Sequence, residues 1–208
     1  MKAEASGIIL HLNEETLHLD IKAGAADWKW ADGFCPAVIT EKETIPFSRW
    51  QEIGHEKFVS GVGKGIRSSY RMLDGEEESY SFETSVWVEE MEEDWCAGSG
   101  KGGKLYGRVH FEWIPICEEG LAVKEVRWPG CMEFEEPSSQ WQTLVNEGQG
   151  LLIPNNWKIQ AGAPAFNGRF LTAGSYMPWY GQIKNGAGYI AIASTPWNGG
   201  VWLEHPAG

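Results

Sequence analysis

Positive charge is scarce in this chain: 17 Lys and Arg stand against 29 Asp and Glu, a formal net charge of −12 over 208 residues. A duplex nucleic-acid surface needs Lys and Arg to neutralise phosphates, so nucleic acid is excluded as a partner. The same sign disfavours adsorption to an anionic membrane. Long apolar runs are missing too. The first is Ile8 to Leu10 with Leu12, broken by His11, short of the roughly 7–15 residues that a signal-peptide core needs. Nothing approaches the roughly 18 apolar residues of a membrane span. A cytoplasmic protein is therefore expected, or a secreted one whose leader has been removed. Cys35, Cys96, Cys117 and Cys131 include no Cys-x-x-Cys pair, which removes the usual zinc and dithiol spacings. An even number permits two disulfides, but scattered reduced thiols are expected without an export signal. Helical periodicity is also wanting: no window sustains a 3.6-residue repeat, and only 48–57 and 138–146 offer two or three turns.

What the chain does have is period-two alternation. Leu17, Leu19 and Ile21 alternate with His18, Asp20 and Lys22, and Tyr80, Phe82, Thr84, Val86 and Val88 alternate with Ser79, Ser81, Glu83 and Ser85. Over 104–113, Leu105, Gly107, Val109, Phe111 and Trp113 share one face, opposite Lys104, Tyr106, Arg108, His110 and Glu112. Such alternation is the mark of half-buried strands. Between Leu121 and Trp128 the apolar phase shifts at Lys124-Glu125, as a β-bulge would produce. Residues 189–195 are apolar or small throughout and read as a strand covered on both faces. With 26 glycines spaced as turns, the class is all-β, a large antiparallel β-sandwich forming one domain over 1–208. The nine acidic residues of 76–94 read as a solvated face rather than a calcium loop, whose Asp/Asn ladder is absent.

No catalytic set emerges. Gly98-Ser99-Gly100-Lys101-Gly102 lacks the Ser or Thr after Lys that a phosphate loop uses for magnesium. Gly61-Val62-Gly63-Lys64-Gly65 is followed by no βαβ unit. His110-Phe111-Glu112 with Cys117 and Cys131 is a poor zinc deaminase, because the Pro-Cys-x-x-Cys element is missing. No Gly-x-Ser-x-Gly elbow activates a serine. Carboxylate pairs drawn from Glu133, Glu135, Glu136 and Glu147 have no separation that strand spacing can fix. Neither a metal nor any other cofactor is called for.

Tryptophan is plentiful, 12 residues in all. Trp30, Trp87, Trp113, Trp128 and Trp202 read as core, although Trp87 is out of phase with Val86 and Val88 and must meet a second layer or lie open. Trp157, Trp179, Tyr180 and Trp197 fall beside turn signals, with Asn155, Asn156, Gln182 and Asn198 nearby. There, rings with polar rims could stack on a sugar or meet another domain.

The ordered set Val126-Arg127-Trp128-Pro129-Gly130, Gly148-Gln149-Gly150-Leu151-Leu152-Ile153-Pro154-Asn155-Asn156-Trp157, Tyr176-Met177-Pro178-Trp179-Tyr180-Gly181-Gln182 and Gly188-Tyr189-Ile190-Ala191-Ile192-Ala193-Ser194-Thr195-Pro196-Trp197 resembles a known family. It is similar to the N-terminal β-supersandwich, a galactose-mutarotase-like domain, of glycoside hydrolases related to endo-α-N-acetylgalactosaminidases. The resemblance implies a supersandwich incomplete at its C-terminus, followed in those enzymes by a catalytic (β/α)8 barrel that 1–208 does not include. The nucleophile and acid/base carboxylates belong to the barrel. The expected role is then a non-catalytic accessory domain, inactive alone, that packs against the barrel and edges its cleft. The expected partners are that barrel, a glycan, or both. Alternatives are a self-contained carbohydrate-binding or lectin-like module, and an aldose-epimerase-like enzyme, whose His/Glu set the five histidines do not identify.

Overall fold

Among the described residues every regular element is a β-strand apart from one 3-10 turn. The structure, a computed structural model, describes residues 1–23, 26–30, 36–61, 63–74, 77–89, 108–117, 122–129, 132–133, 142–145, 151–154, 166–171, 179–184, 187–192 and 200–205. The chain divides into two compact units, 1–133 and 134–208.

In the first unit the strands are β1 (Lys2–Ala5), β2 (Ile8–Leu12), β3 (Leu19–Ala23), β4 (Ala26–Trp30), β5 (Ala37–Thr40), β6 (Thr44–Pro46), β7 (Gln51–Ser60), β8 (Gly63–Asp74), β9 (Glu77–Glu89), β10 (Val109–Cys117), β11 (Val123–Arg127) and β12 (Met132–Glu133). They form three antiparallel sheets, in the orders β1-β2-β3-β4-β12, β10-β9-β8-β7 and β11-β5-β6. Ser6 and Gly7 both take positive φ, 49° and 74°, the backbone that lets a two-residue turn follow the strand twist. The alternation of Ala3, Ala5, Ile8, Leu10, Leu12, Leu19 and Ile21 buries one face of the first sheet, and β1 and β2 lie against β8 and β9.

The segment 48–57, a helix candidate by sequence, is instead a 3-10 turn, Phe47–Arg49, running into β7. The turn drives Phe47 into an aromatic core, 4.8 Å from Tyr70 and 4.9 Å from Phe82 between ring centroids. Trp50 meets Phe82 edge-on at 4.9 Å. Leu17, Val38, Ile45 and Tyr80 complete the cluster, with Trp113 and Trp128 packed at its margin. Aromatic pairs of this kind add about 0.5–1.5 kcal/mol each beyond their buried area. Leu17 holds a φ of 61°, a conformation uncommon outside glycine. Its side chain is in the core while Asn13 Oδ1 accepts from the Glu15 and Thr16 amides. The register of β11 on β5 shifts between Val123 and Glu125, where the change of phase points to a bulge.

In the second unit β13 (Gln142–Val145), β14 (Leu151–Pro154), β16 (Trp179–Lys184) and β17 (Ala187–Ile192) form a sheet in the order β14-β13-β16-β17. β15 (Phe166–Leu171) pairs with β18 (Gly200–His205). The other helix candidate, 138–146, contains strand β13, and the rest of it lies outside the described residues. The reading of 189–195 as covered on both faces is corrected at Ile192, which is largely exposed on the same open face of the sheet as Leu152 and Ile183; 193–195 lie outside the described residues.

Candidate functional site

Of the five residues singled out for sugar or domain contact, Trp157 and Trp197 lie outside the described residues, as do Asn155, Asn156 and Asn198. Trp179, Tyr180 and Gln182 stand in strand β16 and not in a loop. That strand is flanked by β13 and β17, so backbone pairing on both sides overrides the adjacent turn signals. Pleating puts Tyr180 and Gln182 on one face, Tyr180 half-buried and Gln182 buried. Trp179 takes the alternate register position, opposite Ile192. The strand thus unites Tyr180 with Gln182, and Gln182 is also register partner to Thr143 and Tyr189.

A second constellation crosses the four-stranded sheet of the first unit, on the face away from the aromatic core. Phe58, Gly65, Trp87 and His110 are register partners in a row over four strands. The His110 imidazole stacks on the Trp87 indole at 4.8 Å with only 9° between planes. Phe58 meets Trp87 edge-on at 6.2 Å, and the Arg67 guanidinium lies 5.1 Å over the Phe58 ring. His110 Nε2 is 2.9 Å from Glu89 Oε2, and Arg108 approaches the same oxygen at 3.7 Å. The carboxylate fixes the imidazole's orientation, and the indole covers one of its faces.

Sequence reasoning put His110 on the polar face of its strand, which is where it lies. It missed the partnership. The signal was available: Trp87 and Glu89 are two apart on β9, Arg108 and His110 two apart at the start of β10, and a hairpin pairing brings such positions together. What this arrangement can do chemically is hydrogen-bond and stack. A nucleophile or a proton-transfer pair aimed at a common point is not assembled among these residues. Glu112 pairs in register with Ser85 on the same face. Cys117 ends strand β10, and Cys131 lies outside the described residues. Among the described residues no three His, Cys, Asp or Glu side chains come together as a metal would require.

His55 is half-buried on β7. Burial lowers its pKa below the ordinary imidazole value, the Glu14 carboxylate opposes that shift, and the N-terminal ammonium adds to it. Nδ1 of His55 is 2.8 Å from Ser68 Oγ.

No protein-family model and no curated protein matches the chain. Solved structures do. The α-N-acetylgalactosaminidase NagBb from Bifidobacterium bifidum, in its GalNAc complex, aligns with a TM-score of 0.80 and 31% identity, covering 100% of this chain and 31% of that one. Its Gal-NHAc-DNJ complex gives the same values, and its ligand-free form a TM-score of 0.75 at 29% identity. The chain thus spans about a third of the length of the enzyme it matches and resembles a domain of a glycoside hydrolase. The all-β sandwich expected from alternation and from the family resemblance is the observed class.

Proposed function

We propose that this chain is a non-catalytic accessory domain of a glycoside hydrolase, packing against a catalytic barrel and edging its cleft, with a glycan as ligand of the assembled enzyme. One observation carries the reading: the likeness runs the full length of this chain yet takes up only 31% of an α-N-acetylgalactosaminidase. A domain that small a part of an enzyme can support a site without containing it. Trp157, Trp179, Tyr180, Gln182 and Trp197 are the proposed contacts to barrel or glycan. The Trp87–His110–Glu89 row favours a second reading, a module that binds glycan by itself, since stacked rings beside a carboxylate and a guanidinium can accept a sugar's hydroxyls.

The purified chain, offered an aryl α-N-acetylgalactosaminide, should release no aryl alcohol above the buffer rate. Turnover that survives purification and disappears on substituting one carboxylate would overturn the accessory role. Titration with GalNAc separates the second reading: a Kd tighter than about 1 mM for the chain alone, weakened tenfold by Trp87→Ala, would favour the module.

A further inference from the structure

The four-stranded sheet of the second unit is dressed the wrong way round for an isolated domain. Its covered face carries Thr143 at 3% and Gln182 at 8% exposure beside Ile153. The opposite face carries Leu152 at 47%, Ile183 at 36% and Ile192 at 71%. Register places these together: Leu152 is opposite Leu144, Leu144 opposite Gly181, and Ile183 and Ile192 flank Gly181 at two-residue steps on β16 and across to β17. An antiparallel sheet with one wet face normally turns polar residues to the water and aliphatics inward. Here aliphatics from three strands face the water, while a threonine and a glutamine occupy the covered side. Such a face is built to be covered.

We infer that the Leu152–Ile183–Ile192 face is a docking surface for further polypeptide of the same glycoside hydrolase, which lays an aliphatic surface over it. This rests on the accessory-domain reading and names the surface through which that role is exercised. The occupant follows from two observations. The matched enzyme is about three times as long as the matched region, so polypeptide is there to supply the cover. The exposed residues Leu152, Ile183 and Ile192 are uncharged and branched, which suits a packed protein layer better than a sugar, although Gln142 and Trp179 share the face by register.

The experiment uses the double variant Leu152→Lys/Ile192→Lys in two settings, the 208-residue chain and the protein translated from its entire reading frame. In the chain alone the substitutions should leave the melting temperature within about 2 °C, because neither side chain is buried there, and should abolish binding of an apolar dye. In the whole protein they should lower it by about 5 °C or more. Equal melting of variant and parent whole protein would show that this face is not the interface, while leaving the accessory role standing. A dimer of the chain by light scattering, made monomeric by the double variant, would give the face to a second copy and overturn the inference. A reading frame that codes for nothing beyond these 208 residues would overturn both the inference and the accessory role.

Discussion

Gly65 sits in the aromatic row between Phe58 and Trp87, at a position that has no room for a side chain. A Cβ there would collide with the Val86 carbonyl and with the Trp87 Cβ, so Gly65→Ala should destabilise the chain by about 1–3 kcal/mol. Gly54, on the neighbouring strand, has open space around it, and Gly54→Ala should be close to neutral. Urea midpoints at unchanged slope measure both, and equal midpoints would mean that the row does not depend on the gap. His55 sets a pH dependence whose direction is fixed by its lowered pKa. The unfolded chain binds the proton first, so stability is full above the ordinary imidazole range and falls as pH drops through it, until the folded value is passed. Melting between pH 7.5 and 5 should show this loss, and His55→Gln should lessen it. At this scale the sequence was legible only in part. Trp113 and Trp128 do pack at the core margin, and the out-of-phase Trp87 is half-buried on the sheet face opposite Val86 and Val88. The buried Trp50 was hidden inside a supposed helix, and which histidine would meet which carboxylate depended on the register of β10 on β9, which the two-residue spacings suggest but do not fix.

Elements were more legible because a pleated strand has a simple period. Strand β9, the 109–113 part of the alternating 104–113 and the bulge in β11 follow from alternation and its interruption, while 104–107 lie outside the described residues. The segment 48–57 misled because Phe47, Trp50 and Ile53 recur at intervals of three, which imitates a helical stripe. Only the first of these belongs to a turn; Ile53 is already in a strand paired to β8. Tertiary pairing decided the matter against local pattern. The short turn nevertheless has a large energetic role, since its Phe47 is completely buried among Tyr70, Phe82 and Trp128. Phe47→Ala should cost about 3–5 kcal/mol, read as a lowered urea midpoint. A loss below about 1 kcal/mol would show that the cluster closes around the gap.

For the whole molecule, class and kinship were readable from the ordered aromatic and Pro/Gly/Asn segments, while the outward aliphatic face was not. Ile192 lies in a run of small and apolar residues that reads as doubly covered, and nothing within the run tells a covered edge strand from one awaiting cover. Cysteine spacing predicts that chelation leaves the fold intact: dialysis against EDTA should move the melting temperature by less than about 1 °C, whereas a structural zinc would shift it by many degrees. One pairing bears on how the protein is made. Met132 of β12 pairs with Trp30 of β4, so the first sheet's last strand leaves the ribosome about 100 residues after the strand it completes. At about 5–20 residues per second the wait is about 5–20 s. Throughout that interval β4 presents a bare strand edge to the crowded cytosol or translocation machinery, a template that any other growing chain could extend. The other pairings of this sheet join consecutive strands, so this edge is the one whose closure waits on distant chain.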